Sequence, residues 1–180
     1  SLTTFSFPTP TLFGPGALSE MPGRLPRLGI RRPLVVTDPG LVPTDAFARL
    51  RQVLGPGEQG RNWSVFSGVR ANPVEQDVID AARTCLDTGC DGIIGFGGGS
   101  ALDVAKAARL LVKRPGFPLA VFYTQPDWAG LLPFVAIPTT AGTGSEVGRS
   151  SVVTLAATGR KAVLFHPELL ARLVVLDAEL

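Results

Sequence analysis

The segment CDGIIGFGGGSALDVAK (residues 90–106) constrains the fold of this chain more than any other stretch. Its apolar run ends at Phe96, three consecutive glycines follow, and residues 101–112 are good helix formers with Ser100 placed as their N-cap. Glycines permit a tight turn and let another group approach the backbone closely. A helix start offers unpaired N–H groups and the positive end of a dipole. Together these make a site for a phosphate group; the other local reading is simple structural punctuation. The pattern G-x-x-x-x-G-K-[ST] is absent and no G-x-G-x-x-G follows the first strand. The local pattern therefore reaches a nucleotide phosphate without saying which nucleotide.

Around this segment, strands and helices alternate. Residues 2–14 hold two short extended pieces joined by a proline turn, a hairpin-like start, and proline there favours a sheet edge. A short helix fits within 16–28, interrupted by Pro22 and Pro26. Residues 33–38 form an apolar run that reads as a buried parallel strand. Thr44 caps a helix to Leu54, 63–66 is a strand, and Asn72 and Pro73 start a helix running to about Thr88. Strands follow at 92–96, 119–123, 134–137, 151–155, 161–165 and 173–177. This order predicts an α/β fold: a Rossmann-like, mostly parallel sheet with helices on both faces. No linker or internal repeat divides it, so residues 1–180 read as one domain. Ligands of such sheets bind at the carboxyl ends of the strands, and Asp38, residues 97–100 and residues 139–145 all follow strand ends.

Composition narrows the classes. The chain is 45% hydrophobic and 18% charged, which fits a globular domain with an apolar face for a further domain. A net charge of +2 with scattered basic residues argues against a nucleic-acid partner. No apolar run reaches the roughly 18 residues that would cross a membrane. Cys85 and Cys90 lack metal or redox spacing and read as free thiols, consistent with a cytoplasmic chain. The edge near residues 3–13 can pair with a second copy, giving a homodimer.

Several residues carry chemistry, each with a plain structural alternative. A carboxylate at Asp38 can hold a ribose diol and repel a 2′-phosphate, or it can form the Asp-Pro-Gly turn. Gly97, Gly98, Gly99 and Ser100 offer N–H groups and a hydroxyl to a pyrophosphate. Asp103 sits in the first turn of the helix and can complement its dipole or pair with Lys106. Thr139, Thr140, Thr143 and Ser145 can ring a sugar-phosphate, or cap turns. Lys161 is otherwise an exposed cation, and His166, the single histidine, reads as structural.

GGGSALDVAK and PTTAGTGSEV (residues 138–147) resemble the two signatures of the iron-containing alcohol dehydrogenase family, within the dehydroquinate synthase-like superfamily, in that family's order and at about its separation. The resemblance runs from Phe5 to Leu180. It implies the cofactor-binding domain of an NAD(P)-dependent dehydrogenase, which exchanges hydride between an alcohol and an aldehyde or ketone. It also implies that Asp38 faces the adenosine ribose, making NAD the cofactor rather than NADP. Asp103 would lie near the nicotinamide, the threonines along the cleft, Ser145 toward the nicotinamide ribose, and Lys161 near the cofactor. Gly148 and Arg149 stand where the family often has Thr-Arg. The family's divalent metal, iron or zinc, is held by one aspartate and three histidines of a second, helical domain. Nothing here matches that pattern, so the expected metal ligands and catalytic residues lie outside this chain, and the chain alone is expected to be inactive. Alternatives are a maleylacetate reductase, a glycerol dehydrogenase, or a stand-alone nucleotide-binding module without chemistry.

Overall fold

A computed structural model describes residues 9–55, 63–125 and 127–180. Among the described residues, eight strands and three α-helices follow in the order β1 (Thr11–Phe13), β2 (Pro33–Val36), α1 (Asp45–Leu54), β3 (Ser64–Phe66), α2 (Glu75–Asp87), β4 (Gly92–Gly97), α3 (Gly99–Lys113), β5 (Phe134–Pro138), β6 (Ser150–Thr154), β7 (Lys161–Phe165) and β8 (Leu173–Leu176). Six strands form one sheet in the order β1-β8-β5-β4-β2-β3, every pairing parallel. β6 and β7 form a separate antiparallel pair.

The central strand β4 is buried along its whole length. Its side chains alternate between two cores, as the pleat requires. Ile93 packs with Val78, Ala82, Leu102 and Ala105 beneath α2 and α3. Ile94 and Phe96 pack with Met21, Phe47 and Leu50 on the α1 side. Helices on both faces explain why the strands are apolar runs rather than alternating ones. Thr44 caps α1 as its sequence indicates, its hydroxyl accepting from Phe47 N at 3.3 Å.

Four expectations need adjustment, and a fifth, the N-terminal hairpin, lies partly outside the described residues. The first extended piece of the N-terminal hairpin falls on residues outside those described; the second is β1, which joins the sheet edge parallel to β8. The 16–28 stretch forms two 3₁₀ turns, Ala17–Glu20 and Leu25–Leu28, in place of one helix. α2 begins at Glu75, after Val74, because Asp77 Oδ2 accepts from Val74 N at 3.1 Å and closes the helix there. Residues 119–123 are not a strand but part of a 3₁₀ helix, Leu119–Thr124. Leu119 and Phe122 are buried and their neighbours exposed, the three-residue repeat of that helix, and a short apolar run cannot distinguish it from a strand. Ser100 is not the N-cap of α3: Gly98 is, and the Ser100 hydroxyl donates instead to Ala71 O at 2.7 Å.

Candidate functional site

Because the sheet is parallel, the loops after β2, β3, β4 and β5 open on one edge. β3 lies outward of β2, while β4 lies on the opposite side of β2. The loops after β2 and β4 therefore diverge and leave a crevice between them, the place where open α/β sheets bind ligands. The N-terminus of α3 sits in this crevice with no side-chain cap, so its first N–H groups are left for a ligand.

Three glycines make that approach possible in three ways. Gly97 has φ +142°, and a Cβ there would meet Ala101 Cβ at 3.0 Å and Leu41 Cδ1 at 3.1 Å. Gly99 has an ordinary helical backbone, but a Cβ would lie 2.9 Å from Thr143 Cγ2. Gly98, at φ −74°, has room: its nearest neighbours would be Thr140 Oγ1 at 3.5 Å and Cγ2 at 3.8 Å. Packing explains the first and third glycines of the run. The second is spared only by the open space above it.

Two cavities meet at this helix start. One, of about 760 Å³, is bounded by Asp38, Gly40, Val69, Gly98, Thr139 and Thr140. The other, of about 430 Å³, is bounded by Asn72, Asp103, Thr143, Ser145, Ser150 and Lys161. Ala71, Gly99 and Ser100 line both. The result is a trough with the α3 N-terminus at its waist. Each cavity is within the size of a small-molecule site.

Every candidate cofactor-binding residue lines this trough except Gly97, where a Cβ would meet Ala101 and Leu41. The turn reading of Asp38 holds. Its Oδ1 accepts from Gly40 N at 2.9 Å and Leu41 N at 3.1 Å, closing the turn, while Oδ2 takes no hydrogen bond among the described residues. Thr139 N donates to Gly97 O at 3.0 Å, tying the β5 loop to the glycine turn. Thr143 Oγ1 accepts from Ser145 N at 3.3 Å. Lys161 Nζ donates to Asn72 Oδ1 at 3.1 Å, a bridge across the smaller cavity.

Asp103 is more committed than its sequence context indicates. Its Oδ1 accepts from Ser145 Oγ at 2.7 Å and its Oδ2 from Val152 N at 3.0 Å, with Lys106 Nζ 3.8 Å away. Burial holds its carboxyl above the usual carboxylate range despite those donors. Lys106 is fully buried. Burial lowers its ammonium from 10.5 to about 8, opposed by Asp103 and Glu146. His166 Nδ1 accepts from Glu168 N at 3.2 Å, capping the short turn Pro167–Leu169, so its role is structural. Cys85 and Cys90 are both free thiols.

Sequence reasoning passed over Ala71, Asn72, Lys106 and Ser150. The strand-end rule applied to β3 would have found Asn72. Lys106 announces itself in the sequence only as an i,i+3 partner of Asp103.

Among the described residues no group of three or more His, Cys, Asp or Glu side chains could hold a metal ion. No helix among them is long and apolar enough to cross a membrane.

Comparison with known proteins places these features in context. The sequence profile of the iron-containing alcohol dehydrogenase family matches residues 8–178. The probable alcohol dehydrogenase EutG of Escherichia coli K12 is 39% identical over 177 residues, 98% of this chain and 44% of that protein. The 4-hydroxybutyrate dehydrogenase of Cupriavidus necator is 37% identical over 170 residues, covering 92% and 43%. The crystal structure of sulfoacetaldehyde reductase from Bifidobacterium kashiwanohense in complex with NAD+ superimposes with a TM-score of 0.83 at 28% identity, covering 99% of this chain and 47% of that one. The chain thus spans less than half the length of these relatives.

Proposed function

We propose that this chain, which belongs to the iron-containing alcohol dehydrogenase family, is the NAD-binding domain of a metal-dependent enzyme that interconverts a small alcohol and its aldehyde or ketone. The observation that carries the reading is the two-lobed trough joined at an uncapped helix start. Two unequal cavities with a phosphate-binding waist suit a ligand of two nucleosides joined by a pyrophosphate, and suit a mononucleotide less well. The sulfoacetaldehyde reductase with bound NAD+, alike in fold, supports the same assignment.

The residues divide the work along the trough. Asp38 would take the ribose hydroxyls of the adenosine end with its uncommitted Oδ2, and its charge would oppose a 2′-phosphate. Gly97, Gly98, Gly99 and Ser100 would hold the pyrophosphate. Thr139 and Thr140 line the adenosine side, Thr143, Ser145 and Lys161 the nicotinamide side. Asp103, with both oxygens engaged, serves by holding the wall rather than by meeting the cofactor. NAD held there would supply the hydride acceptor or donor for the interconversion of the alcohol and its carbonyl compound.

The family's metal does not fit the residues present. The single histidine already caps a turn and cannot supply three ligands, and no group of three or more His, Cys, Asp or Glu side chains converges among the described residues. We therefore place the metal site, and with it the groups that position substrate, in the part of the relatives' length that this chain does not span.

Calorimetry on the 180-residue chain tests this. NAD should bind equally well with and without EDTA, and no alcohol-dependent NADH should form in the presence of iron or zinc. Absence of NAD binding would overturn the cofactor assignment, and tight stoichiometric metal with turnover would overturn the division of labour.

A further inference from the structure

Lys106 lies in the buried face of α3 and exposes none of its surface. A buried ammonium must be paired, and its three N–H groups each need an acceptor. Lys106 Nζ donates to Ser145 O at 2.6 Å, to Ser145 Oγ at 2.8 Å and to Ser150 O at 2.8 Å. All three acceptors belong to the two ends of one loop, residues 145–150. That loop forms a wall of the smaller cavity through Ser145, Gly148 and Ser150. The lysine draws its ends to a single point and closes it into a ring.

The same contacts fix the polarity of Ser145. Its one hydroxyl proton is given to Asp103 Oδ1 at 2.7 Å, and one lone pair accepts from Lys106. What remains for the cavity is a single acceptor site. An acceptor-only serine complements a hydroxyl donor, the chemistry of a ribose diol, and does not complement a carbonyl or phosphate oxygen.

We propose that Lys106 is a positioning residue for the nicotinamide-side ribose: it clamps both ends of the 145–150 loop and presents Ser145 as a hydrogen-bond acceptor to the ribose hydroxyls. The inference rests on the dinucleotide reading of the trough and adds a residue that does not itself touch the ligand. The charged groups around Nζ are Asp103 and Arg109 on α3 and Glu146 in the loop. Burial lowers the ammonium to about 8, so its third donor is lost just above neutral pH.

The test compares NAD with ADP, which fills only the larger lobe and the waist. Lys106→Met should weaken NAD about tenfold, the worth of one charge-assisted hydrogen bond, while ADP affinity stays within about twofold. In the wild-type protein the ratio of NAD to ADP affinity should fall from about pH 7 to about pH 9 as the ammonium deprotonates, a readout that needs no substitution. Unchanged NAD binding in Lys106→Met, equal weakening of both ligands, or a wild-type ratio flat with pH overturns the proposal. A wild-type chain that binds neither ligand overturns the dinucleotide reading and this inference with it.

Discussion

Gly98→Ala separates the demands of the fold from the demands of the ligand. The new Cβ would lie 3.5 Å from Thr140 Oγ1 and 3.8 Å from Thr140 Cγ2, ordinary contact distances, and the backbone at φ −74° is open to any residue. Folding should lose no more than about 1 kcal/mol, the difference between glycine and alanine at an N-cap. The methyl group, however, enters the larger cavity where a pyrophosphate would approach the helix start. Displacing one phosphate oxygen from an N–H costs about 1.5–3 kcal/mol, so NAD affinity should fall roughly 10- to 100-fold. Gly99→Ala reverses the pattern. Its Cβ would sit 2.9 Å from Thr143 Cγ2 and 3.0 Å from Oγ1. Overpacking of that kind costs about 1–3 kcal/mol, partly offset by about 1 kcal/mol of helix propensity, and Thr143→Ala in the same chain should restore stability. Urea denaturation gives the stabilities and calorimetry the affinities. A Gly98→Ala protein that binds NAD like wild type, or that is destabilised more than Gly99→Ala, would refute the reasoning.

Two further outcomes follow from the geometry. Asp38→Asn keeps an acceptor for Gly40 N and Leu41 N but removes the charge; the preference for NAD over NADP should narrow by about tenfold, and an unchanged ratio would leave Asp38 as a turn residue alone. Lys106 binds its proton less tightly in the fold, at about 8, than in the unfolded chain, at 10.5. Between those values the unfolded chain holds more protons, so unfolding free energy should rise with pH, by up to about 3 kcal/mol relative to Lys106→Met. Urea titrations of both proteins across that range measure the difference, and parallel curves would sink the argument.

The trough was legible in the sequence because its parts are local. An apolar strand, a glycine turn and a helix start lie within a few residues of one another, and two more loops, at Asp38 and at 139–145, declare themselves by following strands. The function of each glycine was not legible: whether a Cβ collides with Thr143 or meets open space depends on a loop some forty residues away. The same holds for Ser100, whose hydroxyl is drawn off to Ala71 and so leaves the cap to Gly98. Lys106 and Asp103 look like a surface ion pair at i,i+3, and only packing of the β6–β7 pair over α3 turns them inward. Residues 119–124 failed for a different reason: burial at every third position of a six-residue run leaves too little pattern to separate strand from helix.

The pairing of β1 with β8 has a consequence for how the molecule is made. Thr11 lies beside Val174, and Asp177 accepts from Gly16 N at 3.1 Å and Leu18 N at 3.0 Å; the Gly16–Asp177 contact alone bridges 161 residues. A ribosome releasing the chain from its N-terminus exposes β1 first and β8 last. Throughout that interval β1 lacks β8, its neighbour among the described residues, and the flank of β5 that receives β8 stands open. Long-range parallel pairing of this kind folds slowly, and an unpaired apolar edge in the meantime invites association with other chains. Yield of soluble protein should therefore depend more on synthesis rate and chaperone supply than on the stability of the finished sheet.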